Sequence, residues 1–411
     1  TGLLPISAAE ARAASTLDYN PATDEVLSYT ATNVPRTTAS AASLVATYPA
    51  VAEVKSIVDA ALASAAEIGN QPVGSVTADI TTAFNGTARD DRSAESTLGN
   101  LVADSLLTTL SSAERGGAEI GVTNPGGLRA ELYYGDDGVI TYAEANAVLP
   151  FVNNLWTTTL TGAQLKTMLE QQWQPEGSSR AFLALGLSDN ITYTYDPDQP
   201  RGSRIQTVTI NGAAMDPSRA YRVGTFSFLA QGGDNFSVFS EGTDTRDSGL
   251  VDRDAWISYI EANSPLSPDF ARQGVIVKGA PATAAAGAAV SFTVSGLDLT
   301  SLGSPVNTAL AVNWVNAAGT STALGTAPVT AGAANVNVTV PASASGAGTL
   351  VLTAAPSGTT VTVPVTVEAA PTVPPAPVCK APVPPKQWWD VRGWLRYTLE
   401  WARYLICLSG R

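Results

Sequence analysis

Histidine is absent from all 411 residues. That absence removes imidazole as a general base, as a member of a Ser-His-Asp or Cys-His nucleophilic pair, and as a ligand for zinc, iron or a dinuclear metal centre. Catalysis by this chain has to use carboxylates, Tyr, Lys or Ser, or be supplied from elsewhere. Cysteine is almost absent too: only Cys379 and Cys407 occur, a count that fits either a reducing compartment or one deliberate disulfide. Positive charge is scarce, with 23 Lys+Arg against 36 Asp+Glu for a net of −13, and such a balance repels nucleic-acid polymers. A small anion can still bind at a local Arg cluster. No apolar run approaches the ~18 uninterrupted residues of a membrane span, so no spanning helix is expected.

What remains is a chain with 45% hydrophobic residues, long enough at roughly 150 residues per domain for two to three domains. It opens on Thr1 without a signal sequence, and this reads as a piece of a longer protein. Residues 1–48 are rich in Ser, Thr and Ala, with short alternating runs such as Glu25–Thr30, and predict a couple of strands and loops rather than a domain. From Pro49 the residues Val51, Val54, Ile57, Val58, Ala61 and Leu62 recur at helical spacing, predicting an amphipathic connecting helix within 49–69. Residues 70–276 alternate helical and strand patterns, for example a helix at 96–111, a strand at 120–123, a helix at 161–172 and a strand at 204–210, which argues a mixed α/β domain. At Lys278 the composition shifts to Ala, Thr, Val, Gly and Ser, and period-2 runs at 290–294, 309–315, 335–340, 349–353 and 361–367 predict an all-β, immunoglobulin-like sandwich over 279–368. A proline-rich linker at 369–387 leads to an aromatic helix at 388–411, whose Arg392, Arg396, Glu400 and Arg403 form one polar stripe.

Four local features of the α/β region could carry chemistry. Arg89-Asp90-Asp91-Arg92 precedes a helix that Ser96 or Thr97 can cap, and an Arg beside a helix N-terminus makes an anion pocket; the alternative is a solvated loop with an ordinary cap. Asn124-Pro125-Gly126-Gly127-Leu128-Arg129 follows a strand directly, so its glycines allow close approach of backbone to a ligand and Arg129 can fork onto a phosphate or ribose oxygen; the alternative is a plain turn. Phe151, after Val148-Leu149-Pro150, and Phe228, before Gly232-Gly233-Asp234, are either core residues or two loop-borne rings that grip a planar base. Asp234 then accepts from sugar hydroxyls, or closes an Asx turn.

Five motifs occur in order: Glu95–Asp104, Asn124–Arg129, Val148–Phe151, Leu160–Lys166 and Phe228–Phe236. Together they resemble the C-terminal domain of the 5'-nucleotidase family, which includes UDP-sugar hydrolases and 2',3'-cyclic nucleotide phosphodiesterases. The resemblance implies a nucleotide or nucleoside ligand, with Phe151 and Phe228 clamping the base, Asn124 at a base edge, Arg92 and Arg129 toward ribose or phosphate, Asp234 on the ribose hydroxyls, and Gly126, Gly127 and Gly233 giving the backbone its close approach. It also implies a secreted or envelope-associated phosphoesterase acting in nucleotide catabolism. The family's two divalent metal ions belong to an N-terminal metallophosphoesterase domain with His, Asp and Asn ligands, which a histidine-free chain cannot supply. Residues 1–48 would be the end of that domain and the helix at 49–69 the interdomain hinge, leaving this chain without catalytic residues or metal of its own.

The sandwich resembles accessory modules of secreted bacterial hydrolases, best read as a spacer or surface-binding module. A Cys379–Cys407 bond would close a 28-residue span, worth on the order of 3 kcal/mol, and favours secretion. The aromatic helix is expected to pack on the Cys379 segment, with the C-terminal region as the candidate for cell-envelope contact. A competing reading makes the chain a non-enzymatic cell-surface adhesion protein with the sandwich as its binding unit.

Overall fold

The computed structural model describes residues 12–23, 25–34, 37–368 and 379–408. The first eleven residues and the 369–378 part of the proline-rich linker lie outside the described residues. The chain divides into two compact units, one of residues 1–72 with 141–143 and the other of 73–140 with 144–411.

In the first unit, strands Arg12–Asn20 and Glu25–Val34 pair as an antiparallel hairpin. A short helix, Ala41–Thr47, follows where only strands and loops were expected; Ser40 caps it by accepting from the Ser43 N–H. The expected long helix forms at Pro49–Gly69, with Pro49 in its first turn where a missing N–H costs nothing. Its apolar stripe, Val54, Ile57, Val58 and Leu62, is exposed.

The second unit is built on one six-stranded and two five-stranded sheets, the last of which closes a sandwich. A mixed five-stranded sheet has the order Thr243–Val251, Asn154–Thr161, Ala220–Phe226, Ile120–Thr123 and Gly186–Leu187, in which only the Ala220–Phe226 and Ile120–Thr123 pair is parallel. The Gly162–Glu170 helix starts with a reciprocal capping box between Thr161 and Gln164, and its Leu165, Met168 and Leu169 enter a core with Ile120, Val122, Val223 and Phe236. The helix Thr97–Leu110 begins at Ser96, whose hydroxyl accepts from the Gly99 N–H, as the cap pattern predicted.

A six-stranded sheet runs Ala213–Ala214, Ile205–Ile210, Ile191–Tyr195, Gly274–Lys278, Ala289–Ser295 and Ala333–Thr339. The compositional boundary at 276–279 therefore falls inside a strand. Gly274–Lys278 pairs with Ile191–Tyr195 on one side and with Ala289–Ser295 on the other, so the α/β region and the β-rich region share a hydrogen-bonded sheet. Facing it is a five-stranded sheet, Thr283–Ala285, Thr360–Glu368, Gly346–Ala355, Ala309–Asn316 and Ser321–Pro328. Alternate residues of the two sheets, among them Val275, Val294, Val312, Trp314, Leu352 and Val363, bury a common core. The strand Ser321–Pro328 had no sequence signal, because it is largely exposed and lacks apolar alternation.

Polar contacts fasten the two regions further. The buried Glu95 carboxylate accepts from the Gln273 N–H at 2.6 Å, the Gly274 N–H at 3.1 Å and the Asn100 side chain at 3.0 Å, with Arg272 at 3.5 Å. Ser301, from the β-rich region, accepts from the Thr97 N–H and donates to the Thr81 carbonyl. The first-turn N–H groups of the Thr97–Leu110 helix are thus bonded to Ser301, the Thr81 carbonyl and Ser96. This excludes the anion pocket considered for that helix end and favours the ordinary cap.

The buried carboxylates should show themselves in unfolding measurements. Glu95→Ala strands two backbone donors and is expected to cost about 3 kcal/mol, measured by urea unfolding. Asp104, which accepts from the Asp189 N–H, has its carboxyl pushed up to about 8 by burial and by the Asp189 charge. The folded state then holds a proton that the unfolded chain releases above about pH 4, so stability is expected to fall as pH rises from there to about 8. Asp104→Asn should flatten that decline; an unchanged pH profile of the unfolding midpoint would refute the assignment.

Candidate functional site

The parallel pair of strands decides where the site forms. Because Ile120–Thr123 and Ala220–Phe226 run in the same direction, their carboxyl ends deliver the following loops to one edge of the sheet. From the first comes Asn124 and the Pro125–Gly127 turn; from the second come the short helix Ser227–Ala230 and the Gly233–Asn235 turn. The strand Asn154–Thr161 is antiparallel to Ala220–Phe226, with Leu155 opposite Phe226, so the segment Phe151–Asn153 reaches the same edge from the other direction. Arg92 arrives from the loop before the capped helix.

These segments enclose a cavity of about 380 Å³, within the size range of small-molecule sites. Arg92, Asn124, Gly126, Gly127, Phe151, Phe228 and Asp234 all line it. Phe151 and Phe228 are 56% and 44% exposed, unlike the core residues that an isolated Phe usually becomes. Arg129 is exposed and does not line the cavity; its guanidinium lies 5.7 Å from the Phe151 ring centre, at the rim. Gly233 acts at one remove: a Cβ there would lie 2.5 Å from the Phe228 ring, so only glycine leaves that ring where it is.

Three polar groups converge on Gly126. A Cβ at this position would fall 3.2 Å from Arg92 Nη1 and 3.3 Å from both Asn124 Nδ2 and Asp234 Oδ2. Asn124 Nδ2 donates to Asp234 Oδ2 at 2.6 Å. A carboxylate oxygen accepts in that bond, which fixes the amide orientation and leaves Asn124 Oδ1 buried without a donor among the described residues. Arg92 places Nε and Nη2 on Asp90 at 2.9 to 3.0 Å. Arg89 instead bonds the buried Glu131 at 2.6 Å. The arrangement offers a ligand one cation, one carboxylate and one unpaired amide oxygen beside two aromatic faces.

Sequence reasoning missed two lining residues, Phe226 and Asn153. Phe226 ends a buried strand and looks like core, which it also is, at 1% exposure. Asn153 donates to Asp252 at 2.9 Å, and burial raises that carboxyl above its ordinary range. Nothing in the sequence links residues 153 and 252. The loop carrying Phe151 and Asn153 contains Val152 at φ +59°, a conformation that β-branched residues avoid. Asp234 and Asn235 also adopt positive φ, but both residue types tolerate it. Among the described residues no group of three or more Cys, Asp or Glu is placed to hold a metal ion.

Strain at residue 152 is expected to cost on the order of 1 kcal/mol, so Val152→Asn should stabilise the protein by about that amount in urea unfolding. Gly233→Ala, whose Cβ would also lie 2.6 Å from the Phe228 carbonyl oxygen, is expected to displace the Phe228 ring and its local backbone, read as perturbed aromatic and amide signals of the Ser227–Asn235 segment in NMR spectra.

Residues 72–241 match the family described as 5'-nucleotidase, C-terminal domain. Similar curated proteins include the trifunctional nucleotide phosphoesterase protein YfkN of Bacillus subtilis (strain 168), 36% identical over 185 residues, covering 44% of this chain and 12% of that protein. Cell wall protein Lmo0130 of Listeria monocytogenes is 30% identical over 185 residues, covering 42% of this chain and 22% of that protein. Among solved structures, a 5'-nucleotidase precursor from Thermus thermophilus is similar at 24% identity and a TM-score of 0.46, covering 65% of this chain and 50% of that one. The chain spans only 12% and 22% of the two curated relatives. Its motifs and the family match coincide on one segment: residues 72–241 are a 5'-nucleotidase C-terminal domain.

Proposed function

We propose that the cavity at the sheet edge binds the nucleoside part of a nucleotide, and that this chain is the substrate-recognition portion of a 5'-nucleotidase-type phosphoesterase. The observation that carries this reading is the pair of half-exposed rings, Phe151 and Phe228, on one cavity with Arg92, Asn124 and Asp234. A base between two ring faces gains about 1–3 kcal/mol per stacking contact and needs no particular hydrogen-bond pattern. Asn124 Oδ1 then receives an N–H from the base edge, and Asp234 receives ribose hydroxyls. Arg92 and Arg129 attract the phosphate side. Metal-assisted phosphoryl transfer is assigned to a partner domain of the longer enzyme, since a histidine-free chain cannot furnish its ligands.

The β-rich region is best read as an immunoglobulin-like module and spacer. Location outside the cytoplasm, secreted or on the envelope, agrees with the disulfide Cys379–Cys407 and with a relative named a cell wall protein. That relative also keeps the adhesion reading in play, in which the sandwich binds a surface polymer and the cavity is idle.

Calorimetric titration of the chain with adenosine and with AMP separates the two. Saturable binding is expected, at least about thirtyfold weaker in a Phe151→Ala/Phe228→Ala variant, from two stacking contacts at about 1 kcal/mol or more each. Binding to bacterial cell walls with equal nucleotide affinity in wild type and variant would favour adhesion. AMP hydrolysis by this chain is expected to be negligible even with added Mn²⁺, and robust turnover would overturn the division of labour.

A further inference from the structure

The C-terminal helix Val391–Leu408 presents an arrangement that neither the cavity nor the sandwich uses. At about 100° per residue, Val391, Leu395, Thr398, Leu399, Ala402 and Leu405 fall within one arc of about 120°. This arc is open: Val391, Leu395 and Leu399 are 74%, 66% and 61% exposed. The opposite side is the covered one. The segment from Cys379 to Val383 lines a shared cleft with Glu400, Arg403, Tyr404 and Cys407, and the Cys379–Cys407 disulfide fixes it there. The strap expected from sequence is therefore present, but it covers the polar face and leaves the apolar face free, the reverse of a self-sufficient mini-domain.

Three features identify what would cover that face. Residues 379–411 hold six basic and two acidic residues, a net of +4 within a chain of net −13 that leaves −17 for the rest. Arg392, Arg396 and Arg403 form one edge of the helix, and along its other side Trp394, Tyr397, Trp401 and Tyr404 make a continuous series of edge-to-face ring contacts. Amphipathic rings between an apolar face and a cationic edge suit the headgroup level of a bilayer. A second copy would bring like-charged Arg edges together. No helix among the described residues is long and apolar enough to cross a membrane, so this one would lie in the surface plane.

We propose that the disulfide-strapped C-terminal helix is an interfacial anchor that lays its open apolar face into an anionic lipid surface. The test is co-sedimentation of the full chain with vesicles of phosphatidylcholine containing phosphatidylglycerol, against vesicles of phosphatidylcholine alone. Binding is expected on the anionic vesicles and much weaker on the neutral ones, and it should fall as salt is raised. Arg392→Gln/Arg396→Gln/Arg403→Gln should weaken it about a hundredfold, at roughly fivefold per basic contact. Leu395→Asp/Leu399→Asp should abolish it with adenosine binding and circular dichroism unchanged, which keeps this outcome separate from that of the nucleotide site. No binding to anionic vesicles, or undiminished binding by the Leu variant, would overturn the proposal. So would a concentration-dependent dimer, lost in the Leu variant, without vesicle binding; that result would assign the face to a second copy.

Discussion

Glu95 occupies the point where three parts of the protein meet. Its carboxylate receives the backbone N–H groups of Gln273 and Gly274, which open the strand shared by both large regions, and the side chain of Asn100 in the first turn of the capped helix. Three residues before it stands Arg92, which lines the cavity. A buried carboxylate is costly unless its lone pairs are filled, and here they are filled by groups from a helix and a strand that are far apart in sequence. The loop bearing Arg92 is therefore placed by the same bonds that set the start of the helix and the register of the Gly274–Lys278 strand. Ser301 adds a second brace from the β-rich region, through Thr97 and Thr81.

The cavity follows from strand direction as much as from residue choice. One parallel pair in an otherwise antiparallel sheet brings two carboxyl ends together, and the antiparallel neighbour contributes the segment before its own start. Loops that would be distant in an all-antiparallel meander become adjacent. Their charges are then arranged so that each carboxylate has a partner: Asp90 with Arg92, Asp234 with Asn124. Among the described residues the Asn124 oxygen has no such partner.

Much of this was legible in the sequence because local chemistry signals it. Ser96 and the Thr161–Gln164 pair mark helix starts, and alternation marks the strands Ala289–Ser295 and Thr360–Glu368. Seven of the residues singled out for a ligand line the cavity, because each belongs to a motif with its own turn or aromatic signature. Arg129 and Gly233 act beside it rather than in it. Asn153 and Phe226 were not legible: the first is held by Asp252, 99 residues away, and the second is indistinguishable from core in a buried strand. The separation at 276–279 was read from composition, which records a change in residue usage but not whether hydrogen bonds continue across it.

That continuity has a consequence for how the domain protects itself. Gly274–Lys278 has neighbours on both sides only because Ala289–Ser295 pairs with it. Without the β-rich region this Val- and Ile-bearing strand would be a free edge, with unpaired N–H and C=O groups available to any passing chain. The β-rich region thereby serves as a cover that keeps the Ile191–Tyr195 and Gly274–Lys278 strands from recruiting strands of another chain.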